Sequence, residues 1–198
     1  KKTGIVLQLI PGGEYFMGPQ MDKMKAFWKR NFEREMEQLR VSGKADETTL
    51  NMAGGLMEMA LSKSEDSLKS ELPRHKVALK PFLMGRYELS FEQWQRLSLG
   101  SKPKLGASKR AFCGLGRPRI ASVLAKAGLG LRLPSESEWE YACLAGSQDV
   151  YYWGEKDDPL GHVFVIENAK RKVQAIEGPD YKCNAFGLYN MLGNVEEW

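Results

Sequence analysis

The chain has 198 residues, 42% of them hydrophobic and 10% aromatic, enough to close one buried core, so a folded globular protein is expected. Its 29 basic and 25 acidic residues give a net charge of +4 with no dense Lys/Arg stripe, which argues against a nucleic-acid surface, and no apolar run is long enough to span a bilayer. Cys113, Cys143 and Cys183 form no CxxC and are odd in number, which excludes a closed disulfide framework and a four-thiolate zinc site within these residues. The opening Lys1-Lys2-Thr3-Gly4 carries neither an initiator Met nor a signal-peptide core, and the compartment is not legible.

In chain order, Ile5 to Ile10 is an apolar, β-branched run, and Pro11-Gly12-Gly13 turns it into Glu14 to Gly18, a pattern that predicts a β-hairpin. From Pro19 to about Ser70 the period changes. Met21, Met24, Trp28, Phe32, Met36 and Leu39 recur at three- and four-residue steps among charged residues, predicting an amphipathic helix. A second helical pattern (Leu50, Ala53, Met57, Ala60, Leu61) is weakened by Gly54-Gly55, and Ser42-Gly43-Lys44 separates the two, so a helical hairpin is expected as an insertion at about 19–70. Its methionines would suit an adaptable partner surface, although a Met-rich stripe is more commonly the packed side of a helix.

Extended structure resumes around Val77 to Leu89. Ser90-Phe91-Glu92-Gln93 reads as a capping box opening a short helix, and Ile120 to Ala127 has composition for two helical turns before Gly128 and Gly130. Pro134-Ser135-Glu136-Ser137-Glu138 is a second capping box, Ser135 with Glu138, and it starts a helix with Trp139, Ala142 and Cys143 on one face.

Three ordered stretches carry a resemblance: Arg132 to Ala142 (RLPSESEWEYA), Tyr152-Trp153-Gly154, and Asn184 to Trp198 (NAFGLYNMLGNVEEW). Together with Ile10 to Gly18, Glu71 to Val77 and Tyr87 to Ser90 they are similar to the formylglycine-generating, sulfatase-modifying-factor domain family. The resemblance implies an α+β fold related to C-type lectins, with small antiparallel sheets, two helices and long loops, truncated here at its C-terminal end, and 1–198 would be one incomplete domain. It further implies a copper-dependent oxidase that converts a cysteine of a protein substrate, such as a sulfatase, to formylglycine. The family's copper-binding cysteine pair falls downstream of the position matching Trp198, so no catalytic residue is assigned within 1–198, and copper is expected only where that pair is present. For Cys143 the resemblance adds a disulfide partner in the same downstream segment. A domain lacking its last strands is expected to fold poorly and to expose apolar surface.

The resemblance also places a calcium site at Gly193-Asn194-Val195-x-Glu197, through the side chains of Asn194 and Glu197 and the carbonyls of Gly193 and Val195, and the start of a second site at Asn168; hard oxygen donors suit Ca²⁺. The alternative is a turn hydrogen bond at Asn194 and a solvated Glu197. Trp139, Tyr152, Trp153, Tyr189 and Trp198 would line a peptide or sugar groove or, more simply, pack the core. His75 and His162 are too far apart for a metal site or the histidine cluster of an iron-dependent sulfoxide synthase. A non-catalytic lectin-like module that binds protein or glycan is the alternative function on the same scaffold.

Overall fold

The computed structural model describes residues 4–99, 109–154, 162–163 and 172–195. Four strands and five α-helices are found among them: β1 (Leu7–Ile10), β2 (Gly13–Met17), α1 (Met21–Val41), α2 (Glu47–Leu68), β3 (His75–Leu79), β4 (Phe82–Gly85), α3 (Phe91–Leu99), α4 (Arg117–Lys126) and α5 (Glu136–Leu144). The class is α+β with two small antiparallel sheets, as expected.

The pairing differs from the hairpin predicted for the first two strands. β1 pairs with β4, Leu9 opposite Leu83 and Ile10 opposite Phe82, whereas β2 pairs with β3, Gly13 opposite Leu79 and Met17 opposite His75. Pro11 has no N–H to offer a ladder, and Gly12 sits where a Cβ would come within 2.7 Å of the Leu79 carbonyl oxygen. This dipeptide therefore carries the chain from one sheet into the other instead of folding it back.

Helices α1 and α2 lie between β2 and β3 in sequence, yet Met17 and His75 are neighbours, so the helical hairpin is an excursion from the tip of a β-hairpin. Helix α2 runs unbroken through Gly54-Gly55. Asp46 caps it by accepting the Thr49 N–H at 2.8 Å, a start signal that offsets the glycine cost. Lys25 pairs with Glu65 between the helices, and Phe27 meets the edge of the Tyr151 ring with centroids 5.4 Å apart. No residue of either helix is buried.

The core gathers Ile10 from β1, Tyr141, Ala142 and Cys143 from α5, and Leu188 and Met191 from the last described loop. Tyr15 of β2 leans on Tyr141 with centroids 5.3 Å apart and donates to the Ser137 carbonyl at 2.9 Å. Trp139 packs at the edge of this cluster. Trp153 stacks between Tyr151 and His162, and this makes His162 a buried residue where a surface position was an open reading. Both predicted capping boxes form: Gln93 N–H donates to Ser90 Oγ at 3.2 Å with the reciprocal bond at 2.8 Å, and Ser135 and Glu138 do the same.

Candidate functional site

Two neighbouring features are built on this frame, a buried polar knot and an apolar cleft. In the knot, Glu88 follows β4 and is buried, and its Oε2 accepts from Asn190 Nδ2 and Asn194 Nδ2, each at 2.8 Å. Asn190 and Asn194 hold φ of 55° and 56°, a region in which an Asn side chain is tolerated better than most, and Gly193 between them is at 82°. Asn194 Oδ1 accepts the Gln174 N–H at 2.8 Å. Asn184 works the same way at the start of the loop: its Nδ2 donates to the Ala142 and Cys143 carbonyls at 2.7 and 3.2 Å, and its Oδ1 accepts from the Phe186 and Leu188 N–H groups. Three asparagines thus tie an irregular loop to the end of α5 and to the segment between β4 and α3. Buried amides and a buried carboxylate are stable here because they satisfy one another.

Among the calcium candidates, Gly193, Asn194 and Val195 fall in one tight turn, while Asn168 and Glu197 lie outside the described residues. The carboxamide oxygen of Asn194 already accepts one N–H, which leaves it a single further lone pair. Gly193 and Val195 carbonyls are hard donors of the kind calcium takes, so this turn fits calcium chemistry as part of a shell that needs further oxygens.

The cysteines do not fit copper(I). Cys143 is buried with its Sγ 4.0 Å from the Met191 carbonyl oxygen, Cys113 and Cys183 are exposed, and among the described residues no group of three or more His, Cys, Asp or Glu is placed to hold a metal.

The cleft lies over the outer face of the β1–β4 ladder. Leu9 and its partner Leu83 are 61% and 60% exposed, an unusual state for leucines in the middle of a ladder, and with Leu7 they form one wall. Ile120 and Leu124 of α4, the Leu129 to Pro134 segment, Trp94, Phe112 and Trp139 line the same space, of about 690 Å³. Trp94 and Phe112 are stacked, centroids 4.4 Å apart. The sheet has two strands, so each also presents an edge that is unpaired among the described strands.

Polar character enters the cleft at Arg132 and Glu138. The guanidinium forms a fork with the carboxylate, Nη1 to Oε2 at 2.7 Å and Nη2 to Oε1 at 2.6 Å, and the Ser135 N–H donates to Oε2 at 2.8 Å. The Arg132 bond, with the Ser135 N–H behind it, pulls the Glu138 carboxyl down to about 2. On the other side of α5, Glu140 accepts the Gly18 N–H at 2.9 Å, and burial, seconded by Glu71 and Glu136, holds its carboxyl above the usual range. Such a cleft can take the apolar side chains of an extended peptide, and an exposed strand edge can add the peptide's backbone to the ladder.

Sequence reasoning did not single out Glu88, Asn184 or Asn190. The signal available for them was the pair of Asn residues around Gly193 in Tyr189-Asn190-Met191-Leu192-Gly193-Asn194, a spacing that invites positive φ.

The family model described as a sulfatase-modifying factor enzyme 1-like domain matches residues 101–198. The chain is 38% identical over 80 residues to the formylglycine-generating enzyme of Mus musculus, covering 35% of this chain and 22% of that protein. To the formylglycine-generating enzyme of Mycobacterium tuberculosis it is 35% identical over 79 residues, covering 35% and 26%. A third relative, serine/threonine-protein kinase Pkn1 of Chlamydia trachomatis serovar L2, is 26% identical over 162 residues, 68% of this chain and 25% of the kinase. The chain therefore spans about a quarter of the length of the curated relatives it matches.

Proposed function

Residues 101–198 belong to the sulfatase-modifying factor family, and on that premise we propose that the protein serves formylglycine generation on a protein substrate, holding an extended segment of that substrate in the cleft over the β1–β4 sheet. The observation that carries this reading is that residues of the family-matched part, Leu129 to Pro134 and Trp139, and the exposed Leu9 and Leu83 of the N-terminal strands line one apolar cleft. Exposed leucines walled by a second apolar surface mark a place where something apolar binds. A sulfatase is the proposed class of substrate because the matched family and the formylglycine-generating relatives carry that chemistry in their names.

The proposed reaction turns a cysteine –CH₂–SH into an aldehyde. For atoms and electrons to balance, dioxygen is the oxidant, one oxygen atom becoming the carbonyl and the other water, the sulfur departs as sulfide, and an external thiol supplies the remaining electrons and protons. Copper belongs to this proposal only where a closely spaced cysteine pair accompanies these residues. Calcium is proposed at the turn of Gly193, Asn194 and Val195, with Glu197 completing the donor set and Asn168 in a second site; its role would be to hold the loop that Glu88 anchors.

The kinase relative favours a second reading, in which the same scaffold is a non-catalytic module that binds protein or glycan for an attached activity. One experiment separates the two. The protein from its natural source is incubated with a cysteine-containing sulfatase peptide, copper(I), a thiol and air, and the peptide is weighed by mass spectrometry. Aldehyde formation supports the oxidase, and peptide retained but unoxidised supports the binding module.

A further inference from the structure

The charges of the chain are unevenly spread. From Gln93 to Ser135 there are nine Lys and Arg residues and no Asp or Glu, while the rest of the chain holds 20 basic and 25 acidic residues. This positive stretch supplies much of the apolar cleft, including Trp94, Phe112, Ile120, Leu124 and the Leu129 to Pro134 segment. Some of its cations are answered within the chain, Arg96 by Glu92, Lys109 by Glu177 and Arg132 by Glu138. Arg117 and Arg119 of α4 are exposed and make no ion pair among the described residues.

Both arginines adjoin the cleft. Arg117, Ile120 and Leu124 fall at i, i+3 and i+7, so Arg117 continues the stripe of α4 that lines it, and Arg119 stands directly before Ile120. Lys80 precedes the cleft residue Pro81 in the turn from β3 to β4, and it too is exposed with no ion pair among the described residues. The two carboxylates that line the cleft are engaged, Glu88 by Asn190 and Asn194 and Glu138 by Arg132. The charge left over around the cleft is therefore positive among the described residues. The stability of α4 does not call for it: the first turn has no acidic residue and no side-chain cap, and Arg117 and Arg119 sit at the positive end of the helix dipole, where cations are unfavourable. An anionic partner accounts for both their place and their lack of a partner within the chain.

We propose that the protein segment held in the cleft is acidic as well as apolar, with large apolar side chains over Leu9 and Leu83 flanked by Asp and Glu that pair with Lys80, Arg117 and Arg119. This charge preference rests on the cleft being where the substrate segment lies, and it narrows the class of that segment. A nucleic acid fits less well, because it brings no apolar side chains to fill the space. The rings on which its bases would stack are also committed, Trp94 and Phe112 being stacked on each other with centroids 4.4 Å apart and Trp94 only 9% exposed. Surface ion pairs are individually weak, so the acidic flanks choose among apolar segments and speed their capture more than they add affinity.

Fluorescence anisotropy with the full chain tests this, using three labelled peptides of about ten residues that share a Leu-Val-Leu centre and carry Asp/Glu, Ser or Lys flanks. The acidic peptide is expected to bind about tenfold more tightly than the serine peptide, an advantage lost in about 0.5 M salt. In the triple variant Lys80→Glu, Arg117→Glu, Arg119→Glu, whose circular dichroism should be unchanged because all three positions are exposed, the lysine peptide becomes the tightest binder. Lys44→Glu, between α1 and α2, leaves the order as it was. If the triple variant unfolds, the peptide order and salt response of the unaltered chain decide. Equal affinity for the three peptides, an order unmoved by the triple variant, or an oligonucleotide that displaces the acidic peptide as well as its unlabelled form does, overturns the acidic preference and leaves the cleft standing. Failure of every peptide to bind, or binding indifferent to Leu83→Glu, removes the cleft reading itself and the acidic preference with it.

Discussion

Glu88 takes the side-chain amide of Asn190 on its Oε2 at 2.8 Å, joining the segment after β4 to a loop a hundred residues further on, and the same oxygen accepts from Asn194. Asn190 is 2% exposed, so its amide has no route to water if Glu88 is removed. Glu88→Ala is expected to cost about 2–4 kcal/mol, and Glu88→Gln, which keeps an acceptor but loses the charge, about half as much. Urea unfolding reads both; a change under about 0.5 kcal/mol in the alanine variant would show that the knot is not a stabilising element.

The Arg132–Glu138 fork predicts an acid limb. The Glu138 carboxyl is pulled from its ordinary 4.5 down to about 2, so between those values the unfolded chain binds a proton that the folded chain does not. The contribution is therefore complete above about pH 4.5 and is lost progressively as pH falls towards 2. Arg132 is 64% exposed, which limits the effect of Arg132→Ala to about 1 kcal/mol at neutral pH. Melting temperature against pH should fall less steeply between pH 4.5 and 2 in this variant, and parallel curves would remove Arg132 as the cause.

Because Met17 and His75 are paired, the helical hairpin should be separable from the sheets it interrupts. Replacing residues 20–71 by Asn-Gly asks the chain to close only a short turn. The expected loss is about 1–2 kcal/mol, from contacts such as Phe27 on Tyr151 and the Lys23 bond to the Gln148 carbonyl, with cooperative unfolding retained. Loss of cooperative unfolding would make the hairpin part of the core.

Calcium at the Gly193–Val195 turn should raise the melting temperature in a concentration-dependent way, by an amount that corresponds to about 2.7 kcal/mol at a hundredfold excess over the dissociation constant. Asn194→Ala lowers the starting stability through its bond to Glu88, so the quantity to compare is the increment on adding calcium, which should vanish in the variant and return to zero with a chelator. An equal increment in both proteins places the ion elsewhere.

What the sequence disclosed was local. Ser90 with Gln93 and Ser135 with Glu138 were readable because a capping box closes within four residues, and the helices after them followed. Pro11-Gly12 was a true turn signal, yet β1 finds Phe82–Gly85 and β2 finds His75–Leu79, partners that no local pattern specifies. Gly54-Gly55 weakens the second helical pattern, and the signal that offsets it lies eight residues upstream in Asp46, whose carboxylate accepts the Thr49 N–H. Glu88 escaped for a related reason: a lone glutamate reads as a solvated residue, and only the fold brings Asn190 and Asn194 to it. The cleft was equally invisible, since exposed Leu9 and Leu83 look in sequence like any strand leucine.

The most direct test of the proposed substrate cleft is photo-crosslinking from Leu83, replaced by a benzophenone amino acid, with a sulfatase chain trapped before its cysteine is modified. The account predicts crosslinks to the segment bearing that cysteine, competed by excess cysteine peptide and absent when the probe sits at Met59. Crosslinks that are missing at position 83, or equal from both positions, would contradict it.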